Sequence, residues 1–225
     1  MVAFFTREHG VVRGVARHAM RSRKRFGGAL EPMTHMRATW AERPRQDVVR
    51  IDRFEILWSP MREQVDYARL AGLAFVAEVL EGVLPDRAPE DEVFRLSLAV
   101  ATRLSGGSIG VAVTYFSLWM TRLLGWMPDL SVCAVSGESL RGAVQVFYSP
   151  LSDGVMSLRH RPSGSVLLSA EAVAAAARIF RAPLPALLEE DLSRAAIQQL
   201  RRFAVSMLER HMEERLMSAR AIGTL

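Results

Sequence analysis

Thr6-Arg7-Glu8-His9-Gly10-Val11-Val12-Arg13-Gly14-Val15-Ala16-Arg17 decides how the N-terminal quarter of the chain is read. Gly10, free to take a positive φ, closes a turn between the apolar run Val2 to Phe5 and a segment that alternates. In that segment Val11, Arg13, Val15 and Arg17 share one face, while Val12, Gly14 and Ala16 share the other. A period of two belongs to a pleated strand, so two arginines project from one side of a sheet. Met33 to Trp40 and Val48 to Trp58 are further strands, the latter rich in β-branched and aromatic residues, with Pro44-Arg45-Gln46-Asp47 as a hairpin loop between them. No helix-length segment intervenes for a crossover, which predicts a small barrel rather than an open parallel sheet.

From Ser59 onward the period is helical. Ser59 as N-cap and Pro60 at the first helical position open a helix to about Leu84, with Leu70, Leu73, Phe75, Val76, Val79 and Leu80 apolar almost all round. A second helix starts at Pro89, with Glu90, Asp91 and Glu92 at the positive end of its dipole, and stops at Gly106-Gly107. A third runs from Ile109 to Leu124 and ends at Gly125. Ser169 caps a fourth, rich in alanine. After Pro183 and Pro185 the last helix is long, with Leu192, Ala196, Leu200, Phe203 and Met207 as its stripe. Pro128 to Leu168 breaks this pattern with Ser, Gly and Val, turns at Ser136-Gly137 and Asp153-Gly154, and alternation through Val144, Val146 and Tyr148, as expected of a small β insertion. The fold class is therefore α+β: an N-terminal domain over 1–58 and a helical domain over 59–225 with an insert at about 128–168.

Of 225 residues, 50% are hydrophobic and 24% charged, a composition that excludes disordered, collagen-like and disulfide-rich classes. A single cysteine, Cys133, forbids an intrachain disulfide. The longest uncharged run, Leu104 to Thr121, is interrupted by glycines and hydroxyl residues, and no leader pattern opens the chain. A cytoplasmic protein without a membrane span is the expectation. Residues 1–50 carry eleven Lys/Arg against four Asp/Glu, so the whole excess of +5 lies at the N-terminus and the rest of the chain is slightly acidic. Arg13, Arg17, Arg21, Arg23, Lys24 and Arg25 follow one another with no acid among them, which is the footprint of a polyanion partner.

The run Phe5 to Arg17, continuing through Arg25-Phe26-Gly27-Gly28-Ala29-Leu30-Glu31-Pro32, closely resembles the bacterial recombination mediators of the RecO family. Leu123-Leu124-Gly125-Trp126-Met127-Pro128-Asp129-Leu130, then Cys133-Ala134-Val135-Ser136-Gly137, is similar to the same family's helix end and ribbon, and Phe147-Tyr148-Ser149-Pro150 and His211 to Ser218 follow in order. The resemblance implies an OB-fold-like barrel on a helical bundle interrupted by a zinc-ribbon-like insert. It also implies binding of single- and double-stranded DNA, strand annealing, and help for RecA in replacing single-strand-binding protein (SSB), together with RecR and often RecF.

Three departures from the family pattern stand out. Relatives begin with a strand ahead of Met1, so either the start codon is misplaced or the barrel lacks its first strand. The ribbon's metal frame reads Cys133-x2-Ser136 and, twenty residues on, Ser157-x2-His160. Serine hydroxyls are weak zinc ligands, so no tightly bound zinc and no other cofactor is expected, and the ribbon persists by packing. The third helix carries Thr114-Tyr115-Phe116 where relatives have two arginines beside a groove for the acidic SSB tail. Arg103 and Arg122, with Tyr115, are the substitutes for that contact.

The DNA-contacting set is accordingly Arg7, Arg13, Arg17, His18, Arg21, Arg23, Lys24 and Arg25, with Phe26 as a stacking ring that has a competing place in the core. His9, His18, His35 and His211 show no metal-ligand spacing. No P-loop is present, the glycines at 106, 107 and 110 lack the spacing of a nucleotide turn, and no base or orienting group stands near Ser131, Cys133 or Ser136. The expected protein is non-enzymatic. A duplex-binding transcription regulator or an adaptor without annealing activity are the alternatives, the former disfavoured because the basic segment alternates like a strand.

Overall fold

The structure is a computed structural model that describes residues 1–16, 26, 28–42, 45–46, 48–62, 66–104, 109–152 and 154–223. The chain divides into two compact units, Met1–Thr102 and Arg103–Leu225.

The first unit opens with β1 (Val2–Thr6), β2 (Gly10–Val15), β3 (His35–Ala41) and β4 (Val49–Trp58). Their order in the sheet is β1-β2-β4-β3, with β1 and β3 antiparallel to their neighbours and β2 parallel to β4. This OB-like arrangement leaves β1 and β3 as edges, and among the described residues no strand joins them into a closed barrel. Gly10 makes the first hairpin at φ 65°, and a Cβ there would fall inside the backbone of Ala88. Along β2 the alternation is realised: Val12 and Gly14 are buried while Arg13 and Val15 face out. Along β4 the buried positions are Val49 and Ile51, then Phe54, a spacing of three that breaks the period of two. The cause is a β-bulge: Thr39 pairs with Arg53 but the adjacent Trp40 pairs with Ile51, so Asp52 is the extra residue. The bulge returns Phe54 and Ile56 to the core side, where Phe4, Val12, Phe26, Ala29, Val49, Ile51 and Phe54 form one cluster. Phe54 sits at its centre, edge-on to Phe4 at 5.6 Å and to Phe26 at 5.8 Å.

Ser59 does not start the long helix. Its hydroxyl accepts the Met61 N–H at 3.2 Å and closes only the 3-10 turn Pro60–Arg62, while α1 (Tyr67–Val83) is capped by Asp66, whose carboxylate accepts the Arg69 N–H at 2.7 Å. Asp outcompetes Ser here because its carboxylate also meets the positive end of the helix dipole. Leu70 is exposed, so the apolar surface of α1 does not run all round. The second helix, α2 (Asp91–Ala101), carries Asp91 and Glu92 in its first turn.

The second unit contains α3 (Ile109–Leu123), β5 (Gln145–Ser149), β6 (Gly154–Met156), β7 (Val166–Ser169), α4 (Ala170–Ile179), α5 (Leu184–Leu188), α6 (Arg194–Met212) and α7 (Ala219–Ile222). Gly125, at φ 75°, ends the turn that follows α3. Ser169 caps α4 by accepting the Ala172 N–H, as its position predicts. The long helix after the two prolines is instead two helices: α5 stops at Leu188, and Ser193 starts α6 by accepting the Ala196 N–H. The insert is an antiparallel sheet ordered β6-β5-β7. Its Val146, Phe147, Tyr148, Val155, Met156 and Leu168 share one core with Leu200, Phe203 and Met207 of α6, with Tyr148 edge-on to Phe203 at 4.9 Å.

Two substitutions test this account. Phe54→Ala removes the ring on which two others rest and lowers stability by about 3–5 kcal/mol, read as a reduced denaturant midpoint. Gly10→Ala costs about 1–2 kcal/mol for the left-handed φ alone, before the collision with Ala88, and a wild-type midpoint would contradict the placement.

Candidate functional site

The strand period that buries Val12, Val49, Ile51 and Phe54 obliges the intervening positions to face outward. Arg13 of β2, Arg37 of β3 and Arg50 and Arg53 of β4 are exposed in consequence, giving three strands of the first unit an arginine-bearing outer surface. Arg37, Arg50 and Arg53 are absent from the set expected from the sequence. Their signal was their phase, opposite to the core residues, which for Arg53 becomes readable only with the bulge at Asp52.

Acids accompany this surface. Arg13 donates from Nε to both Asp86 carboxylate oxygens, at 2.8 and 3.1 Å, and Arg7 pairs with Asp91. Arg50 meets Asp52 at 3.0 Å and Arg37 meets Glu55 at 3.5 Å. Among the described residues Arg53 has no such partner. The hydrogen bond from Arg7 holds Asp91 below the usual carboxylate range, and Asp86 raises Arg13 further above its already high value. All these pairs are solvent-exposed. Exposed pairs contribute little to stability, so a phosphate competes for the same guanidinium at small cost. Arg7 and Arg13 thus lie on the surface with neutralising partners. Arg17, His18, Arg21, Arg23, Lys24 and Arg25 lie outside the described residues.

Phe26 does not belong in a base-stacking role. Its ring is 1% exposed and packed against Phe54 in the core, leaving no free face for a base. Three histidines serve aromatic contacts rather than metal: His9 meets Trp40 edge-on at 5.3 Å, His35 meets Phe94 at 6.2 Å, and His211 stacks on Trp126 at 4.7 Å.

In the second unit, α3 brings Tyr115 and Arg122 to one aromatic cluster. The Arg122 guanidinium lies 4.8 Å from the centre of the Phe180 ring and 5.5 Å from that of Trp119, and Tyr115 tilts against Trp119 at 6.2 Å. A cation held over two rings keeps its charge while its flat faces are shielded from water. Burial pushes the Tyr115 phenol up. Thr114 is fully buried and returns its hydroxyl to the Gly110 carbonyl at 2.8 Å. Arg103 is half-buried at the start of the unit.

The ribbon's two turns are present without four good ligands. The first is closed by Gly137 N–H to Cys133 carbonyl at 2.8 Å and Cys133 N–H to Glu138 carbonyl at 2.9 Å, and the second by His160 N–H to Ser157 carbonyl at 3.1 Å. Ser136 and Ser157 offer only hydroxyls, so the donors do not build a closed structural zinc site. Burial pushes the Cys133 thiol up, but hydrogen bonds from the Ser136 hydroxyl and from the N–H groups of Ser136, Ser157 and Val135 outweigh it and bring the thiol down to about 6.

No described helix is long and apolar enough to cross a membrane. The profile of the N-terminal part of recombination protein O matches residues 1–60, and that of its C-terminal part matches residues 64–220. The chain is 45% identical over 225 residues to the DNA repair protein RecO of Koribacter versatilis, covering all of this chain and 91% of that protein. It is 31% identical over 228 residues to the DNA repair protein RecO of Anaeromyxobacter sp. strain K, covering 89% of that protein. With both family regions matched in order along one polypeptide, and with an OB-like sheet ahead of the helices, this chain belongs to the RecO family of DNA repair and recombination proteins.

Proposed function

We propose that this protein binds single- and double-stranded DNA without reading its sequence, anneals complementary strands and, with RecR and RecF, helps RecA displace SSB, with no catalytic chemistry of its own. The observation that carries the reading is the concentration of positive charge in residues 1–50 of a RecO-family chain, eleven Lys/Arg against four Asp/Glu, of which Arg13, Arg37 and Arg50 face outward from the sheet with Arg53 beside them in the chain. Guanidinium groups neutralise phosphates and leave base edges untouched. A surface that holds two strands loosely in this way screens their repulsion while the bases remain free to pair. Such binding places the protein on the nucleoid.

The Arg122, Trp119, Phe180 and Tyr115 cluster supports contact with the acidic, partly apolar tail of SSB, with the rings accepting side chains and Arg122 a carboxylate. Arg103 is a further candidate for that contact, and RecR is an expected partner of the protein. A second reading, an adaptor without DNA binding, draws on the neutralisation of Arg7 and Arg13 by Asp91 and Asp86. Strand annealing of SSB-coated oligonucleotides separates the two.

Replacing Arg21, Arg23, Lys24 and Arg25 together by alanine weakens binding of a labelled oligonucleotide. It also flattens the dependence of log affinity on log salt by about 0.7 for each single-strand phosphate that is no longer neutralised. Unchanged affinity at low salt overturns the assignment. Asp86→Asn releases Arg13 and tightens binding at low salt by about two- to fivefold, whereas no change would take Arg13 out of the interface. Arg122→Ala weakens binding of an SSB tail peptide by about fivefold, read by fluorescence anisotropy, while leaving oligonucleotide binding intact.

A further inference from the structure

Cys133, Glu138 and His160 come together in the ribbon although only two of them occupy its frame. Sγ of Cys133 lies 3.9 Å from Nδ1 of His160, and Oε1 of Glu138 lies 3.8 Å from the same nitrogen. One donor atom from each of the three residues falls within 4.8 Å of the others. We propose that these three side chains form an open site for a thiophilic divalent cation, in which Glu138, a residue outside the Cys133-Ser136-Ser157-His160 frame, supplies the third donor.

The geometry can be checked against bond lengths. A tetrahedral zinc with sulfur at about 2.3 Å and nitrogen and oxygen at about 2.0 to 2.1 Å separates S from N by about 3.6 Å and N from O by about 3.4 Å. The S···N and N···O separations exceed these by less than half an ångström, the sulfur and the carboxylate lie within 4.8 Å of each other, and rotation of the exposed Glu138 and His160 side chains brings the three donors to an ion. The local fold explains why Glu138 arrives there. Gly137, in the left-handed region at φ 71°, reverses the chain directly after the Cys133 turn, and the Cys133 N–H bonds back to the Glu138 carbonyl. That reversal carries the Glu138 carboxylate to the side of the ribbon on which His160 stands.

Cys133 itself is buried, so an ion reaches Sγ from the side of the two exposed ligands. On binding, the thiol releases its proton to solvent and the ion takes the thiolate, one imidazole nitrogen and one carboxylate oxygen, with water completing the shell. Three donors and a water hold an ion that exchanges, unlike the closed four-ligand site that the two serines preclude.

The probe is cobalt(II), added to the metal-free 225-residue chain. The expected result is one equivalent bound, with a sulfur-to-cobalt charge-transfer band in the near ultraviolet and visible bands of tetrahedral or five-coordinate intensity, all bleached by added zinc. C133S removes the near-ultraviolet band. E138Q weakens cobalt binding at least tenfold while its metal-free melting curve matches wild type, because an exposed carboxylate carries little of the fold. Absence of the sulfur band in the wild-type protein overturns the site, and E138Q titrating like wild type overturns the role of Glu138.

Discussion

The first unit depends on the two-residue period of a pleated strand. Once Val12, Val49, Ile51 and Phe54 face inward, the residues between them have nowhere to go but out, and those residues are largely arginines and acids. Burial of the hydrophobic side chains and display of charge are therefore one constraint seen from two sides. A slip of one residue in β4 would bury Arg50 and Arg53 and expose the core. The bulge at Asp52 is what allows β4 to run ten residues with both halves in phase with the core. Asp52 stands beside Arg50, two positions back along the strand, and moderates the charge of the outer surface.

That moderation has a functional logic. A surface of bare arginines repels itself and binds polyanions tightly and slowly reversibly. One in which exposed carboxylates occupy Arg7, Arg13, Arg37 and Arg50 exchanges partners readily, because each pair is solvated and weak. Loose, salt-sensitive contact is what the proposed strand annealing would require, since strands must remain mobile on the surface that gathers them.

Residues near one another in the chain made much of this legible in advance. Gly10 before an alternating segment, Ser169 before an alanine-rich run and Gly125 after α3 each act within a few positions, and each does as its chemistry dictates. Ser59 misled because two capping residues, Ser59 and Asp66, stood within one turn-rich stretch, and local propensity alone does not decide which one starts the helix. The break between α5 and α6 was hidden in the same way by the apolar stripe on either side of Ser193. The ion pairs joining Arg7 to Asp91 and Arg13 to Asp86 span 84 and 73 positions. Nothing in a linear pattern marks such pairings, so the acids that meet Arg7 and Arg13 come from far along the chain and are legible only in the fold.

The insert holds its fold by burial. Cys133 lies in the same core cluster as Leu118 of α3, Phe147 and Tyr148 of β5, Val155 of β6 and Phe203 of α6, so the insert is held by apolar burial continuous with the helices. At about 25 cal/mol for each square ångström removed from water, a few such side chains replace what a small isolated ribbon gains from its ion. Positions 136 and 157 carry serines, which offer hydrogen bonds to the Cys133 sulfur in place of metal ligands. The turn geometry survives because backbone bonds at Cys133, Gly137 and His160 define it, not the ligands. Those bonds keep Sγ, Nδ1 and a nearby carboxylate converging on one point, and convergence of donors is the part of a metal site that is hardest to build anew.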